Sequence, residues 1–292
     1  MKFDFFTLGG RFFWEDTCNF QEWRIQRSTI NDKKYRLLDS HNIRRDSGTF
    51  EQCKETLLKY METYELDKPY DNTVVLIHGF ARTRASVKIL ADSLKSIKAN
   101  IIAFNYSSTS DGLNAHAHLL SRFLQNINTK GNLYFINIGA ACLLTRKLLN
   151  NSNNYRNYRI ARVLDINPLN SGSDLAELMI KSKILRYFFG PMLMDITTRK
   201  AVSYAKLPQE IDHAIIFCPS TIQKLVKKAL KRFESFPFIT PPSERSYAQK
   251  IKDIDHTTLF PLENRELIDN VNRFIVRGDF SEDLSATEIE DI

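Results

Sequence analysis

Long apolar runs are missing from this sequence, since no stretch reaches the roughly eighteen uninterrupted apolar residues that a spanning helix needs. The opening MKFDFFTLGGRFFWEDT is apolar only in patches, because Asp4 and Arg11 interrupt it and no small-residue cleavage pattern follows. We therefore expect no membrane-spanning helix, no signal peptide and no transit peptide.

Cysteine is scarce, and histidine is not arranged for metal binding. The four cysteines, Cys18, Cys53, Cys142 and Cys218, lie far apart without C-x-x-C spacing. That spacing argues against a disulfide framework and against a zinc site, and it favours reduced thiols in a cytoplasmic protein. His116 and His118 are two residues apart on a predicted helix, so they point to different faces. We expect no metal and no other cofactor.

The sequence also lacks a long basic run. Its net charge of +7 over 292 residues is spread out, which disfavours nucleic-acid binding. One segment, 222–233, places five cations beside an apolar helical stripe. A surface helix packed on the core is the favoured interpretation, and contact with an anionic membrane surface or a lipid-like ligand is the alternative. The last stretch, 281–292, carries five acids and no base, which predicts a solvated acidic tail.

What the chain does contain is an alternation of strands and helices from residue 71 onward. Continuous β-branched runs such as TVVLI predict strands that are buried on both faces of a parallel sheet. Strands are predicted at Thr73–Ile77, Asn100–Tyr106, Asn132–Asn137, Ile160–Ile166 and His213–Cys218, and helices at about Ala85–Ile97, Leu113–Ile127, Ala140–Leu149 and Glu263–Val276. This order predicts an α/β protein with a doubly wound, mostly parallel sheet.

The alternation also suggests how the chain is divided. Residues 1–70 are a polar, aromatic-rich N-terminal extension with one helix near Phe50–Leu66, and we expect them to pack on the main domain, 71–280. Between about 168 and 208 the alternation pauses among apolar segments such as ILRYFFGPMLM. We interpret that stretch as a lid-like insertion.

Three stretches should meet at the carboxyl ends of the strands, where such sheets bind ligands: His78-Gly79-Phe80, the turn 137–141, and Asp255-His256-Thr257. At these positions the sequence resembles the α/β-hydrolase superfamily, in particular bacterial esterase-like and lipase-like members. The resemblance runs in order through VVLIHGFARTRASVKILADSL, FNYSST, NLYFINIGAACLLTRKLL, DINPLNSGSDLAEL and DIDHTTLFPLENRELIDNVNRFI. The lead-in WRIQRSTINDKKYRLLDSHNIRRDSG looks like the front extension of some bacterial members.

The resemblance implies a role for each matching residue. The main-chain N–H groups of Phe80 and Ala140 would form the oxyanion hole, and His78 and Gly79 would support the first turn. His256 matches the general base in the loop before the last helix. A hydrogen-bonded loop histidine is the equally weighted alternative for His256, and His78 is more often structural than catalytic.

The nucleophile elbow departs from the pattern of the superfamily. Alignment of LLTRKLL with the helix after Gly-x-Ser-x-Gly places Gly139 where the serine belongs, and glycine has no nucleophilic atom. Gly139, Ala140 and Ala141 still meet the steric demands of an elbow, which are positive φ at its apex and small neighbours. The acid is also missing from its usual place, because Phe236-Pro237 falls where Asp-Gly would be; Glu234 and Glu244 are possible substitutes.

The sequence therefore predicts a catalytically inactive relative of esterases and lipases. It would bind an acyl or carboxylate small molecule in a closed apolar pocket near Gly139 and His256, or serve as a scaffold for a protein partner with that pocket filled. The alternative is an active ester hydrolase with an atypical nucleophile. Cys142 could be imagined in that role, but a buried helix position is favoured.

Overall fold

The computed structural model describes residues 13–64, 69–127, 129–217, 246–250 and 264–280. The N-terminal part forms an antiparallel sheet of four strands in the order β1-β2-β3-β4, followed by helix α1. These elements are β1 (Trp14–Phe20), β2 (Trp23–Ser28), β3 (Tyr35–Leu38), β4 (Arg44–Gly48) and α1 (Phe50–Thr63).

Helix α1 begins at a capping box, in which the Thr49 side chain accepts from the Gln52 N–H and the Gln52 side chain accepts from the Thr49 N–H. The helix packs on the small sheet through its own apolar cluster of Cys18, Trp23, Ile25, Leu37, Cys53 and Leu57. The sequence predicted this helix near Phe50–Leu66, but it did not predict the four strands. Their buried positions include Glu15, Asp16, Arg24 and Gln26, so the apolar alternation that indicates a strand is missing.

The second sheet is the centre of the chain and has six strands in the order β10-β9-β8-β7-β5-β6, with every neighbouring pair parallel. The doubly wound parallel arrangement predicted from the sequence is thereby confirmed. Its strands are β5 (Thr73–Ile77), β6 (Asn100–Phe104), β7 (Asn132–Ile138), β8 (Arg159–Ile166), β9 (Asp212–Phe217) and β10 (Ser246–Lys250). The helices are α2 (Lys88–Ser93), α3 (Leu113–Gln125), α4 (Ala141–Leu149), α5 (Asp174–Met179), α6 (Lys183–Phe189), α7 (Met192–Asp195), α8 (Thr198–Ala201) and α9 (Arg265–Arg277).

Apolar layers cover both faces of the six-stranded sheet. Val75 and Ile77 of β5 point to the face that α3 and α4 cover, whereas Val74 and Leu76 point to the face covered by α2 and α9. All four side chains are fully buried. The sequence of a central strand is therefore a continuous apolar run and not an alternation of apolar and polar residues.

The segment predicted as one helix, Ala85–Ile97, is instead three short pieces. A 3₁₀ turn at Arg84–Val87 and another at Leu94–Ser96 flank α2. Serine hydroxyl groups sit at both breaks, since Ser86 donates to the Thr83 carbonyl and Ser93 donates to the Leu90 carbonyl. Such side-chain bonds to nearby carbonyls compete with the regular helical ladder.

The N-terminal sheet is joined to the central sheet through Asp16 and Asn105, the residue that follows β6. The Asp16 N–H donates to the Asn105 carbonyl at 2.8 Å, and the Asn105 N–H donates to the Asp16 carboxylate at 2.8 Å. Asp16 also accepts from the Gln26 amide at 2.7 Å and lies 3.6 Å from the Arg24 guanidinium. This junction ends β6 at Phe104, two residues earlier than predicted.

We expect Asp16→Ala to lower the free energy of unfolding by about 3 kcal/mol, because it leaves the buried Asn105 N–H without its acceptor and removes the carboxylate beside the buried Arg24. Urea unfolding followed by circular dichroism measures the change. The matched control is Asp92→Ala, which removes an exposed carboxylate paired with Lys88 and Lys95; it should cost no more than about 0.5 kcal/mol. Equal losses in the two variants would contradict this account of the junction.

Candidate functional site

The candidate site lies where the winding direction of the central sheet reverses. The chain passes from β5 to β6 on one side and from β7 to β8 on the other, so a crevice opens at the carboxyl ends of β5 and β7. Ile77 pairs with Asn137 across these two strands. The turn His78-Gly79-Phe80 and the turn Gly139-Ala140 were both identified from the sequence. They therefore lie side by side at the carboxyl ends of these two central strands.

The turn after β7 has the shape of an elbow. Strand β7 ends at Ile138 and α4 begins at Ala141, which leaves Gly139 and Ala140 to reverse the chain. Gly139 has φ +58°, in the left-handed region, and its N–H donates to the Ile166 carbonyl at 2.9 Å. A Cβ at Gly139 would come no nearer than 4.0 Å to the closest atom outside the turn, the Asn167 carbonyl oxygen. The apex is thus constrained by its backbone conformation and open on its outer side.

The two turns approach each other closely at Gly79. A Cβ at Gly79 would lie 3.1 Å from the Ile138 carbonyl oxygen, which is tighter than ordinary van der Waals contact. Within the described residues, the main-chain N–H groups of Phe80 and Ala140 have no hydrogen-bond acceptor. Ala140 is also the first residue of the turn into α4, so its N–H lies at the positive end of that helix. Such a pair of donors can stabilise an oxygen anion.

His78 serves the turn and has no ring nitrogen left for chemistry. The ring is fully buried, its Nδ1 lies 2.9 Å from the Gly79 carbonyl oxygen, and its Nε2 accepts from the Tyr106 N–H at 3.4 Å. A carbonyl oxygen can only accept, so the proton belongs on Nδ1. Burial lowers the pKa of His78 to about 4, and its ring stacks on Tyr106 with centroids 4.5 Å apart. These contacts favour the structural interpretation of His78.

Beneath the elbow lies a buried polar network that the sequence analysis did not find. The Asn137 amide donates to Asp165 Oδ1 at 2.8 Å and accepts from the Thr145 hydroxyl at 2.7 Å. Asp165 Oδ2 lies 3.0 Å from His213 Nε2. The network connects β7, β8 and β9 with α4. Its sequence signal is the presence of Asn137 and Asp165 in the otherwise apolar endings of β7 and β8.

Cys142 lies in the core, as expected. Its side chain is 1% exposed, and burial raises the pKa of its thiol above the ordinary value. A thiolate nucleophile needs exposure and a lowered pKa, so the geometry disfavours Cys142 as a nucleophile. Cys18 and Cys53 are also free and buried. His116 is buried whereas His118 is exposed, in line with their predicted separation.

The insertion between β8 and β9 borders the crevice. The ring of Phe189 on α6 lies 5.8 Å from the ring of Phe80. The buried Arg146 of α4 donates to the carbonyl oxygens of Tyr204 and Ala205 at 2.6 and 3.0 Å. Asn170, which is 5% exposed, has no hydrogen-bond partner for either side-chain atom within the described residues. The insertion is therefore hydrogen-bonded to α4, and it places the Phe189 ring next to the turn His78-Gly79-Phe80.

Several predicted residues and segments lie outside the described residues: His256, Glu234, Glu244, Cys218, the basic segment 222–233 and the tail 281–292.

Two cavities of about 10 and 30 Å³ lie between the N-terminal sheet and the edge strand β6, away from the elbow. They have room for no more than about one or two water molecules each. Within the described residues, no helix is long and apolar enough to cross a membrane.

No protein-family model and no curated protein matches this sequence. Among solved structures, the lipase BlEst2 of Bacillus licheniformis in its propeptide form is similar with a TM-score of 0.51 and 11% identity, over 76% of this chain and 54% of that one. Phospholipase PlaB from Legionella pneumophila gives a TM-score of 0.42 and 16% identity, over 56% of this chain and 42% of that one. A thermophilic esterase from Thermogutta terrifontis gives a TM-score of 0.42 and 12% identity, over 73% of this chain and 92% of that one. The chain thus spans about half the length of the first two proteins, and the likeness to BlEst2 supports the predicted fold.

We expect Gly139→Ala to lower the free energy of unfolding by only about 1 kcal/mol, because the cost comes from the left-handed φ and not from a clash. Gly172 is the matched comparison, with φ +85° and a Cβ position 2.5 Å from the Thr197 carbonyl oxygen. Gly172→Ala should cost at least about 3 kcal/mol. Chemical denaturation of both variants measures the difference, and a large loss at Gly139 would show that the apex is not open.

The protein should lose stability on mild acidification. Burial lowers the pKa of His78 and of His116 to about 4, against an ordinary value of 6.5. The unfolded chain then binds more protons than the folded chain between these values, so stability falls as pH drops through this window. Each histidine should contribute a loss of roughly 2 kcal/mol between about pH 7 and pH 5.

Denaturant titrations at both pH values test this expectation. His116→Gln should remove its share of the pH-dependent loss, whereas the same change at the exposed His41 should leave the loss unaltered. A pH dependence identical in His116→Gln and the original protein would contradict the assignment.

Proposed function

We propose that this chain, whose fold is that of the α/β-hydrolases, binds an acyl or carboxylate small molecule at the Gly139 turn without hydrolysing it. One observation carries the proposal: the apex of the elbow is a glycine with a left-handed backbone, next to two main-chain donors that lack an acceptor within the described residues. The shape that would present a nucleophile is retained, but the side chain that would react is absent.

The donors favour an anionic oxygen as the bound group. The N–H groups of Phe80 and Ala140 belong to adjacent turns, and the positive end of α4 adds its dipole at Ala140. A carboxylate can accept from both without any change in covalent bonding. Charge-assisted hydrogen bonds of this kind are about twice as strong as neutral ones.

The apolar part of the ligand would face the aromatic side of the crevice. Phe80 is half-buried and packs against Phe189, and both contact the apolar layer that includes α3 and α4. A ligand with a carboxylate head and a short acyl or aromatic body suits that pair of environments. In this proposal His256 is a hydrogen-bonding residue near the head group and not a general base.

Two other functions differ from this one in what they require. An active ester hydrolase needs another nucleophile, and the burial of Cys142 disfavours the nearest candidate. A protein-interaction scaffold needs no ligand at the elbow and would have the crevice filled by side chains.

The proposal also includes a cytoplasmic location. It divides the chain into an extension (1–70), a hydrolase-fold domain (71–280) with its lid-like insertion (about 168–208), and an acidic tail (281–292).

The first expected result is the absence of hydrolysis. The purified protein should not cleave short or long p-nitrophenyl esters and should not react with a fluorophosphonate probe. Gly139→Ser should gain labelling by the probe if the donors are in place, and His256→Ala introduced into that variant should remove the gain. Turnover by the original protein that is lost in His256→Ala would establish an active hydrolase and overturn the proposal.

The binding step can be tested through a single donor. Ala140 has φ −64°, which proline adopts without strain, so Ala140→Pro deletes the N–H while leaving the φ of that residue unchanged. Binding of a medium-chain carboxylate such as decanoate, measured by calorimetry, should weaken at least about tenfold. Ala140→Ser keeps the N–H and is the matched control. No carboxylate binding by the original protein would favour the scaffold instead.

A further inference from the structure

The helix α6 in the insertion exposes apolar residues that a globular protein normally buries. Its sequence is KILRYFF, five of its seven residues are apolar, and none of the seven is buried. The exposed fractions are 68% for Ile184, 61% for Tyr187 and 49% for Phe188. Leu185 and Phe189 are half-buried, so the helix packs through that side and leaves Ile184, Tyr187 and Phe188 as an exposed apolar patch. Such a patch indicates a surface that is covered by something else in the working protein.

Positive charge surrounds these apolar side chains. Lys181, Lys183 and Arg186 are all exposed, and no ion pair within the described residues includes any of them. Two nearby acids are engaged elsewhere: Glu177 on α5 accepts from Thr198, and Asp195 on α7 accepts from Tyr204 and from the Leu113 N–H. The exposed cations and apolar side chains of 181–188 together are called the α6 surface below.

We propose that the α6 surface attaches the protein to a bilayer that contains anionic phospholipid. Side chains such as Ile184 and Phe188 would enter the boundary between head groups and acyl chains, Tyr187 would lie at the interface, and the three cations would contact lipid phosphates. Met194 on α7, the helix that contacts α6, is also exposed, as are Leu175 and Leu178 on α5. The attachment does not depend on what the elbow binds.

Charge distinguishes this occupant from a second copy of the chain. In a symmetric dimer formed through α6, each helix would meet its own copy, so Lys183 and Arg186 would face like charges. Burying unpaired cations in that way is unfavourable. An anionic bilayer instead supplies a counter-charge for every cation and an apolar layer for the aromatic side chains.

Co-sedimentation of the full chain with phosphatidylcholine vesicles, with and without phosphatidylglycerol, tests the proposal. We expect binding to the anionic vesicles at low salt and weaker binding as salt rises, because screening reduces the attraction. Ile184→Ser with Phe188→Ser should lower the partition coefficient at least about tenfold. Lys183→Gln with Arg186→Gln should also lower it about tenfold or more. All four positions are exposed, so both variants should fold normally.

The matched control is Ile30→Ser with Val276→Ser, since these side chains are 71% and 60% exposed on other parts of the molecule. Their loss should not change vesicle binding. Tyr187→Trp supplies a local reporter, whose fluorescence should be quenched by brominated lipid in the anionic vesicles. A variant that ends at residue 280 tests whether the acidic tail competes with lipid for these cations.

The remaining outcomes each overturn the proposal. Vesicle binding that survives both α6 variants but is lost when the lysines of 222–233 become glutamine would assign the contact to that segment. Binding only after removal of the tail would mean that the tail covers α6. Failure to bind, together with a concentration-dependent dimer that the α6 variants abolish, would assign the surface to a second copy.

Discussion

The left-handed backbone at Gly139 is the constraint around which the centre of the molecule is arranged. The chain must pass from β7 into α4 within two residues, and a right-handed apex would send the helix away from the sheet. With φ +58° at Gly139, α4 returns along the sheet, which buries Cys142 and brings Thr145 onto Asn137. The same reversal places the Ala140 N–H at the start of the helix. Under the proposed function, packing and anion recognition therefore have a common geometric origin.

Buried hydrogen bonds among Asn137, Asp165 and His213 stabilise the strand ends that precede this turn. Asn137, Asp165 and His213 are all fully buried or nearly so, and a buried polar group without a partner costs roughly 1–3 kcal/mol. Each of them has a partner in the network, so the cost is avoided only while β7, β8 and β9 keep their register. A slip of one residue would turn these side chains to the other face of the sheet. The network thus specifies where the strand ends lie, and with them the position of the elbow.

The sequence predicted the central sheet well because its strands are buried on both faces, and a run such as TVVLI permits few other interpretations. It failed on β1–β4, where Glu15, Asp16 and Arg24 occupy buried positions. The sequence contains no sign that Asp16 will meet Asn105, because that contact joins residues 89 positions apart in the chain. The approach of Arg24 to Asp16 in turn requires that β1 and β2 are already paired. Ion pairs and main-chain junctions of this kind depend on the fold already being formed.

The site was predictable to the extent that backbone conformation determines it. A glycine followed by two alanines, between a β-branched strand and an apolar helix, predicts the elbow because few other residues tolerate that turn. Asn137 and Asp165 were not recognised, since a polar residue in a strand could equally face solvent at an edge. The structure places both at the centre of the sheet, where only a specific partner makes them acceptable.

Under the proposed function, the elbow also has the shape of a catalytic turn without its reactivity. Glycine meets the conformational demand at the apex more easily than serine does, because a Cβ at φ +58° is strained even where space is available. A hydrolase accepts that strain in order to present its nucleophile. In the proposed binding protein the apex presents no reacting side chain, so this strain is absent, and the main-chain donors of Phe80 and Ala140 are available to a ligand. Under the proposed function, the turn is thus a relaxed form of an elbow, more stable than a catalytic one and still able to hold an anionic oxygen.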